Sequence, residues 1–369
     1  MKPNPVYVTR PILPPLEEVW PLFQEIWQSR ILTNGGPILK RFEKALGQYL
    51  GTEHISLVNN ASIGLVSSLR YLGITGEVVT SPFSFVATTH AIRWAGAVPV
   101  FADIDPVTLN LDPEQVERSI TSRTQAILAV HCYGIPCDTA ALSEIARRHG
   151  LWLIYDAAHA FGVTQGGSPL CNAGDLSVLS FHATKVFNTF EGGAIISRDH
   201  ATKAALDRLG NFGIVDEENI PAVGLNSKMS EMNAAVGLAL LPHLGVAIEA
   251  RRRIAQRYCE ALSDTPGLTC VTAAEGKGHN YHAFPIRIGE DYPIGRDALY
   301  RRLCRDGIFA RRYFYPIIAD LPMYRDLPSA QHANLPVATR VGGEILCLPL
   351  FPDLSDAELT RIIAILRAP

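Results

Sequence analysis

Residues 55–101 read ISLVNNASIGLVSSLRYLGITGEVVTSPFSFVATTHAIRWAGAVPVF, and their hydrophobic spacing switches repeatedly between two periods. The short β-branched runs Ile55 to Val58, Glu77 to Thr80 and Val98 to Phe101 predict strands. Between them, the stretch from Ala61 and the one around Thr88 to Ala95 carry helical spacing. The rhythm continues with strands expected at Ala126 to Val130, Leu151 to Tyr155, Val178 to Phe181 and Ala194 to Ser197. Strand, helix, strand in this order predicts an α/β fold: a mainly parallel sheet with helices on both faces. In such sheets ligands bind beyond the carboxyl ends of the strands.

Toward the N-terminus, Leu16, Val19, Trp20, Phe23, Ile26 and Trp27 recur at helical spacing behind Pro14 and Pro15, which suit a first turn. A turn at Asn34-Gly35-Gly36 precedes a second helix carrying Leu39, Phe42, Leu46 and Tyr49 and closed by Gly51. Toward the C-terminus, a long helical region from Ser230 to Leu262 contains Pro242, which should break or kink it. A domain boundary is expected there. Residues 1–245 form a large α/β domain with an N-terminal helical segment. Residues 246–369 form a smaller α+β domain built from Tyr281 to Ile288, Arg296 to Arg305 and Ser355 to Leu366.

With 369 residues, 47% hydrophobic and 19% charged, the chain is excluded from the disordered class. Its 33 Lys plus Arg against 36 Asp plus Glu give a net charge of -3, so no general affinity for nucleic acid or anionic membrane is expected. Met1 to Arg10 holds no apolar run, and the longest apolar stretch, Ala234 to Leu241, is too short to span a bilayer. A soluble cytoplasmic protein is the expectation. The 7 cysteines are scattered without a CxxC pair, which reads as buried free thiols. No His/Asp/Glu cluster shows metal-ligand spacing.

Only 7 of the 33 basic residues are lysines, so Lys185, among apolar neighbours in Ser180-Phe181-His182-Ala183-Thr184-Lys185-Val186-Phe187, is an unusual choice. Lost hydration lowers the pKa of such an ammonium and frees amine to attack a carbonyl, the requirement for a Schiff base. A lysine whose stem packs while its head reaches water fits the same residue. Asp156 ends the apolar run Leu153 to Tyr155 at the edge where ligands bind, and there it fits either a partner for a cationic ring nitrogen or a helix N-cap. Asn59-Asn60-Ala61-Ser62 offers small residues and a helix start to a phosphate, with Ser180 as a further hydroxyl. Phe85 fits a ring-stacking or a core aromatic, and His159 a cofactor neighbour or a satisfied core histidine.

As an ordered set these segments resemble the DegT/DnrJ type sugar aminotransferases, a family of pyridoxal phosphate (PLP) enzymes with the aspartate aminotransferase fold (fold type I). The resemblance runs from Leu32-Thr33-Asn34-Gly35-Gly36-Pro37 through Asn60-Ala61-Ser62, Pro82 to Thr88, Asp156 to Ala160, Ser180 to Lys185 and Glu191-Gly192-Gly193 to Gly224 to Glu231. It implies PLP as cofactor, Lys185 as the lysine joined to it, Asp156 as the ring-nitrogen partner and Phe85 as the stacking aromatic. Ala61, Ser62 and Ser180 are implied as phosphate contacts. Asn226 matches an Asn that the family contributes from the neighbouring subunit, implying a homodimer with shared active sites. His159 stands where many members have Gln, and Leu225-Asn226-Ser227-Lys228 where Tyr-Asn-Tyr-Arg is more usual.

The family's dehydratases carry His in place of the Schiff-base lysine; here Lys185 is present, and transamination is the expectation. The run Phe181 to Thr189 with Glu191-Gly192-Gly193, and Arg311-Arg312-Tyr313-Phe314-Tyr315-Pro316, are similar to segments of the members that aminate a dTDP-4-keto-6-deoxy sugar. That likeness implies L-glutamate as amino donor, 2-oxoglutarate as its product, and a dTDP-linked 4-keto sugar as acceptor. Lys228, Arg311 and Arg312 are basic candidates for the nucleotide's diphosphate, and each also fits a solvated surface residue. A 3-keto, GDP-linked or cyclitol ketone acceptor, or a non-catalytic PLP-binding regulatory protein, are the alternatives.

Overall fold

The computed structural model describes residues 4–272 and 278–368. Seven strands form one sheet: β1 (Ile55–Val58), β2 (Glu77–Thr80), β3 (Val98–Phe101), β4 (Thr124–Val130), β5 (Trp152–Asp156), β6 (Leu176–Ser180) and β7 (Gly193–Ser197). Their order across the sheet is β1-β7-β6-β5-β4-β2-β3. The pairs from β6 to β3 are parallel, while β7 runs antiparallel to both its neighbours. It follows that β1 to β6 all end at one edge of the sheet, and β7 begins there. Asp156 and Ser180 are the last residues of β5 and β6 at that edge, and Ala61 follows β1 there.

The runs are apolar on both sides because both faces are covered. Helices α3 (Ala61–Tyr71) and α4 (Ala87–Trp94) pack Leu65, Leu69, Ala91 and Ile92 against Val78, Leu128, Ile154 and Val178 on one face. On the other, α5 (Thr139–His149) sets Leu142 and Ile145 against Ile127, Ala129, Leu153 and Tyr155. The N-terminal helix α1 (Leu16–Ser29) starts behind Pro14 and Pro15 and α2 (Pro37–Leu50) follows the Asn34-Gly35-Gly36 turn, both as expected, and α2 ends at Gly51 with a φ of 63°, a left-handed cap that glycine reaches without strain.

Helix α6 (Glu231–Leu240) and helix α7 (Leu244–Leu262) are separated by a 3₁₀ turn, Leu241–His243, that holds Pro242. Pro242 therefore interrupts the helix as its missing N–H requires. Through this turn, Glu231–Leu262 is by length and composition apolar enough to cross a membrane, which corrects the expectation drawn from contiguous apolar runs alone. Half of its most apolar window is buried, and α6 packs on α1 and α2.

Beyond α7, strands Leu268–Cys270, Phe284–Ile288 and Ile345–Leu348 form an antiparallel sheet covered by helices Arg296–Arg305 and Asp356–Arg367. Val6 lies in this second core, and Val6–Tyr7 pairs in parallel with Ile308–Phe309. A two-residue strand whose partner is 302 residues away has no local signature. All seven cysteines are free; Cys132, Cys137, Cys171 and Cys347 are buried as expected, whereas Cys259, Cys270 and Cys304 are only half-buried.

Candidate active site

Asp156 is the last residue of β5 and pairs with Val178 of β6; Ser180, two residues further, leaves the same face because side chains alternate along a strand. Gly193 of β7 pairs with both Ser180 and Val58. Carboxylate, hydroxyl and the start of α3 are thus set side by side along the sheet edge by register alone. Asp156 is 5% exposed. Burial raises its pKa, opposed by a hydrogen bond from Thr88, by the Ala158 N–H and by the charge of Lys185. Thr88 Oγ1 donates to Oδ2 at 2.7 Å and the Ala158 N–H to Oδ1 at 3.1 Å. The Ala158 bond has the two-residue reach of an N-cap, but turns rather than a helix follow Asp156, so the carboxylate closes a turn and caps no helix.

Lys185 closes a turn after β6, its N–H donating to the His182 carbonyl at 2.9 Å. Desolvation pulls its amine down to about 8, with the Asp156 charge acting the other way. Burial, helped by the same lysine charge, holds His159 well below its ordinary value, so His159 is neutral. The Tyr133 N–H donates to His159 Nδ1 at 3.1 Å, which leaves the ring proton on Nε2. His182 is exposed, with Nε2 3.7 Å from Glu191 Oε1 and Nδ1 2.9 Å from Thr184 Oγ1.

Asn60 caps α3 by accepting from the Ile63 N–H at 2.9 Å, an arrangement worth about 1 kcal/mol. The Ala61 and Ser62 amides have no acceptor among the described residues, and Ser62 is exposed. Opposite them, a Cβ at Gly193 would lie 2.9 Å from the Ala61 nitrogen and 2.8 Å from the Leu179 oxygen. Only glycine leaves this cradle open. Gly193→Ala is expected to destabilise the fold by about 1–3 kcal/mol and to weaken PLP binding, read as a lower melting temperature and a higher Kd by cofactor titration.

The remaining candidates divide. Phe85 follows β2 and is 59% exposed at this edge. Asn226 is exposed; the carbonyl of its neighbour Ser227 accepts from the Asn59 N–H at 2.7 Å, which seats this segment beside the α3 turn. Lys228 is held by Asn211 Oδ1 at 3.0 Å and lies over the Phe212 ring. Arg312 pairs with Asp297 at 3.0 Å and covers Tyr300, so its charge is already partnered within the chain. Arg311 is exposed. His131 is buried and stacked on Tyr155, with burial pushing its pKa down to about 3, in line with a structural role.

Several residues of this site escaped the sequence reading. Thr88 ends the Pro82 to Thr88 segment, and its bond to Asp156, 68 residues on, has no local signal. His282 stacks on His159 at 4.3 Å, and Phe314 lies parallel to it at 6.3 Å. Asn280, buried, ties its segment to the carbonyls of His159 at 2.8 Å and Phe161 at 3.0 Å. These three approach from the C-terminal part of the chain, and no local spacing connects them to Asp156 or Lys185.

A depressed lysine amine beside a buried carboxylate, at the carboxyl edge of a sheet wound on both faces, is the arrangement of a fold type I aminotransferase. Residues 17–367 match the DegT/DnrJ/EryC1/StrS aminotransferase family, and the chain belongs to it. It is 47% identical over 364 residues to the dTDP-4-amino-4,6-dideoxy-D-glucose transaminase of Shigella dysenteriae, covering 99% of both chains. To the Escherichia coli protein of the same name it is 45% identical over 367 residues, again covering 99% of both. Among solved structures, DesI in the presence of its TDP-sugar product superposes with a TM-score of 0.94 at 38% identity, covering 99% of this chain and 93% of that one.

Proposed function

We propose that this chain transfers an amino group from L-glutamate to C4 of a dTDP-linked 4-keto-6-deoxy sugar, dTDP-4-dehydro-6-deoxy-D-glucose, and that PLP is its cofactor. The observation that carries the chemistry is Lys185, its amine drawn down to about 8, next to the buried Asp156. The acceptor follows from the full-length likeness to the two enteric transaminases.

The residues suit PLP. Asp156 would face the ring nitrogen; the free amides of Ala61 and Ser62, the hydroxyls of Ser62 and Ser180, and the space kept by Gly193 would hold the phosphate. Phe85 would cover one ring face, and His159, neutral and protonated on Nε2, would sit at the other. When bound, PLP supplies an electron sink that makes the α proton of the donor removable. Lys185 Nζ is the base: with a pKa near 8 about a tenth of it is unprotonated at neutral pH, enough to accept a proton from carbon and return it.

Asn226 lies on an exposed segment with Ile220 and Val223, bridged to Asn211 beside Phe212, and these three apolar side chains are left in water. That patch supports a homodimer in which Asn226 reaches the other protomer's site. Lys228 and Arg311 remain the candidates for the diphosphate; Arg312, paired with Asp297, is better suited to holding its own loop.

The test is direct. Purified holoprotein is incubated with L-glutamate and dTDP-4-dehydro-6-deoxy-D-glucose, and the product is examined by NMR. An amine at C4 with stoichiometric 2-oxoglutarate is the expected result; amination of only 3-keto, GDP-linked or cyclitol acceptors would reject the assignment.

A further inference from the structure

Asp156 does not hold its orientation by itself. Thr88 Oγ1 has one proton, and at 2.7 Å from Asp156 Oδ2 that proton is committed to the carboxylate. Ser84 Oγ lies 3.0 Å from the same Thr88 oxygen, so Ser84 must be the donor in that bond. The result is a directed chain, Ser84 to Thr88 to Asp156, in which Thr88 is fully buried and Ser84 is 4% exposed. Hydrogen bonds in series within a dry site polarise one another. The Ala158 N–H takes the other carboxylate oxygen. With one oxygen fixed from α4 and the other from its own backbone, the carboxylate plane has a single setting.

Position matters as much as bond strength. Thr88 lies three residues after Phe85, and its N–H donates to the Phe85 carbonyl at 3.2 Å. The turn that presents Phe85 at the sheet edge is therefore the same one that grips Asp156. We infer that Thr88, backed by Ser84, is a positioning residue of the transaminase: its hydroxyl fixes Asp156 against the ring nitrogen and keeps the carboxylate ionised, and it ties the ring-nitrogen contact to the ring-face contact. This rests on the PLP reading of the site given above.

Thr88→Val keeps the volume and removes the hydroxyl. Loss of a hydrogen bond to a buried charge predicts PLP binding weakened about tenfold and kcat lowered about tenfold, with KM for glutamate unchanged. The acid limb of the kcat profile moves up by about one pH unit, since a carboxylate short of a donor protonates sooner. The titratable groups around Asp156 are Lys185 and Cys132, with His159 next to Lys185, and all three are left in place. Thr88→Ser restores all three readouts, and Ser84→Ala moves the acid limb the same way by less.

A Thr88→Val protein with wild-type PLP affinity and kcat overturns the inference. So does a Thr88→Ser protein as impaired as Thr88→Val, because then packing rather than the hydroxyl matters. If Thr88→Val does not fold, an unchanged acid limb in Ser84→Ala removes the chain. Wild-type protein that takes up no PLP overturns both this inference and the site reading, whereas normal uptake with silent variants overturns the role of Thr88 alone.

Discussion

Replacing Lys185 with alanine or arginine lowers transamination by about 10³-fold or more, because the group that would both join the cofactor and shuttle the proton is lost. Arginine keeps the positive charge but has no usable free amine at any working pH. Borohydride reduction of PLP-loaded wild-type protein should fix a pyridoxyl label on the peptide containing Lys185, and neither variant should carry it. The wild-type apoprotein makes a second, graded test. Burial sets the Lys185 amine at about 8, against the pull of Asp156. Protonated amine cannot attack an aldehyde, so the rate of PLP capture should level off above pH 8 and fall about tenfold per unit below it. A capture rate flat from pH 6 to pH 9 would mean that another group receives the cofactor.

Asp156→Asn removes the charge at nearly constant shape, and kcat is expected to fall by about 10²-fold or more while the fold is retained. The figure follows from losing a charge-assisted bond in a dry site, worth about 3 kcal/mol. The direction follows from the arrangement: Thr88 and Ala158 donate to different oxygens of Asp156, so an asparagine keeps an acceptor for only one of them, turns its NH2 group on the other, and offers a protonated ring nitrogen no negative charge. Steady-state kinetics together with PLP content after dialysis check this. A variant that turns over like wild type would remove Asp156 from the ring-nitrogen role and leave it as a strut between β5 and α4.

How much of this was readable without coordinates depends on how far apart the partners lie in the chain. The strands of the sheet announce themselves, since each is a short β-branched run bounded by turn residues; the largest displacements are two residues, at the starts of β4 and β6. Lys185, Asp156 and the Ala61-Ser62 turn were visible because each follows a strand, and strand ends are where sheets of this class bind ligands. Glu231 closes the Gly224 to Glu231 segment, where nothing local gives it a role. In the fold it is fully buried, its carboxylate receiving the Ile38 N–H at 2.8 Å and the Leu39 N–H at 3.1 Å, so it caps α2 from nearly two hundred residues away. No window along the chain contains that pair.

What the amino-acid order determined alone is the alternation of strand and helix, the apolar character of both sheet faces and the residue types standing at the strand ends; these depend on side-chain periodicity and local backbone preference, which act over a few residues. What only the folded chain decided is which of those types are used. It gave Asp156 to Thr88, closed His159 between Tyr133, His282 and Phe314, and paired Arg312 with Asp297. Burial and hydrogen-bond geometry arise from segments that meet only after packing, and they govern both the charge state and the aim of a side chain.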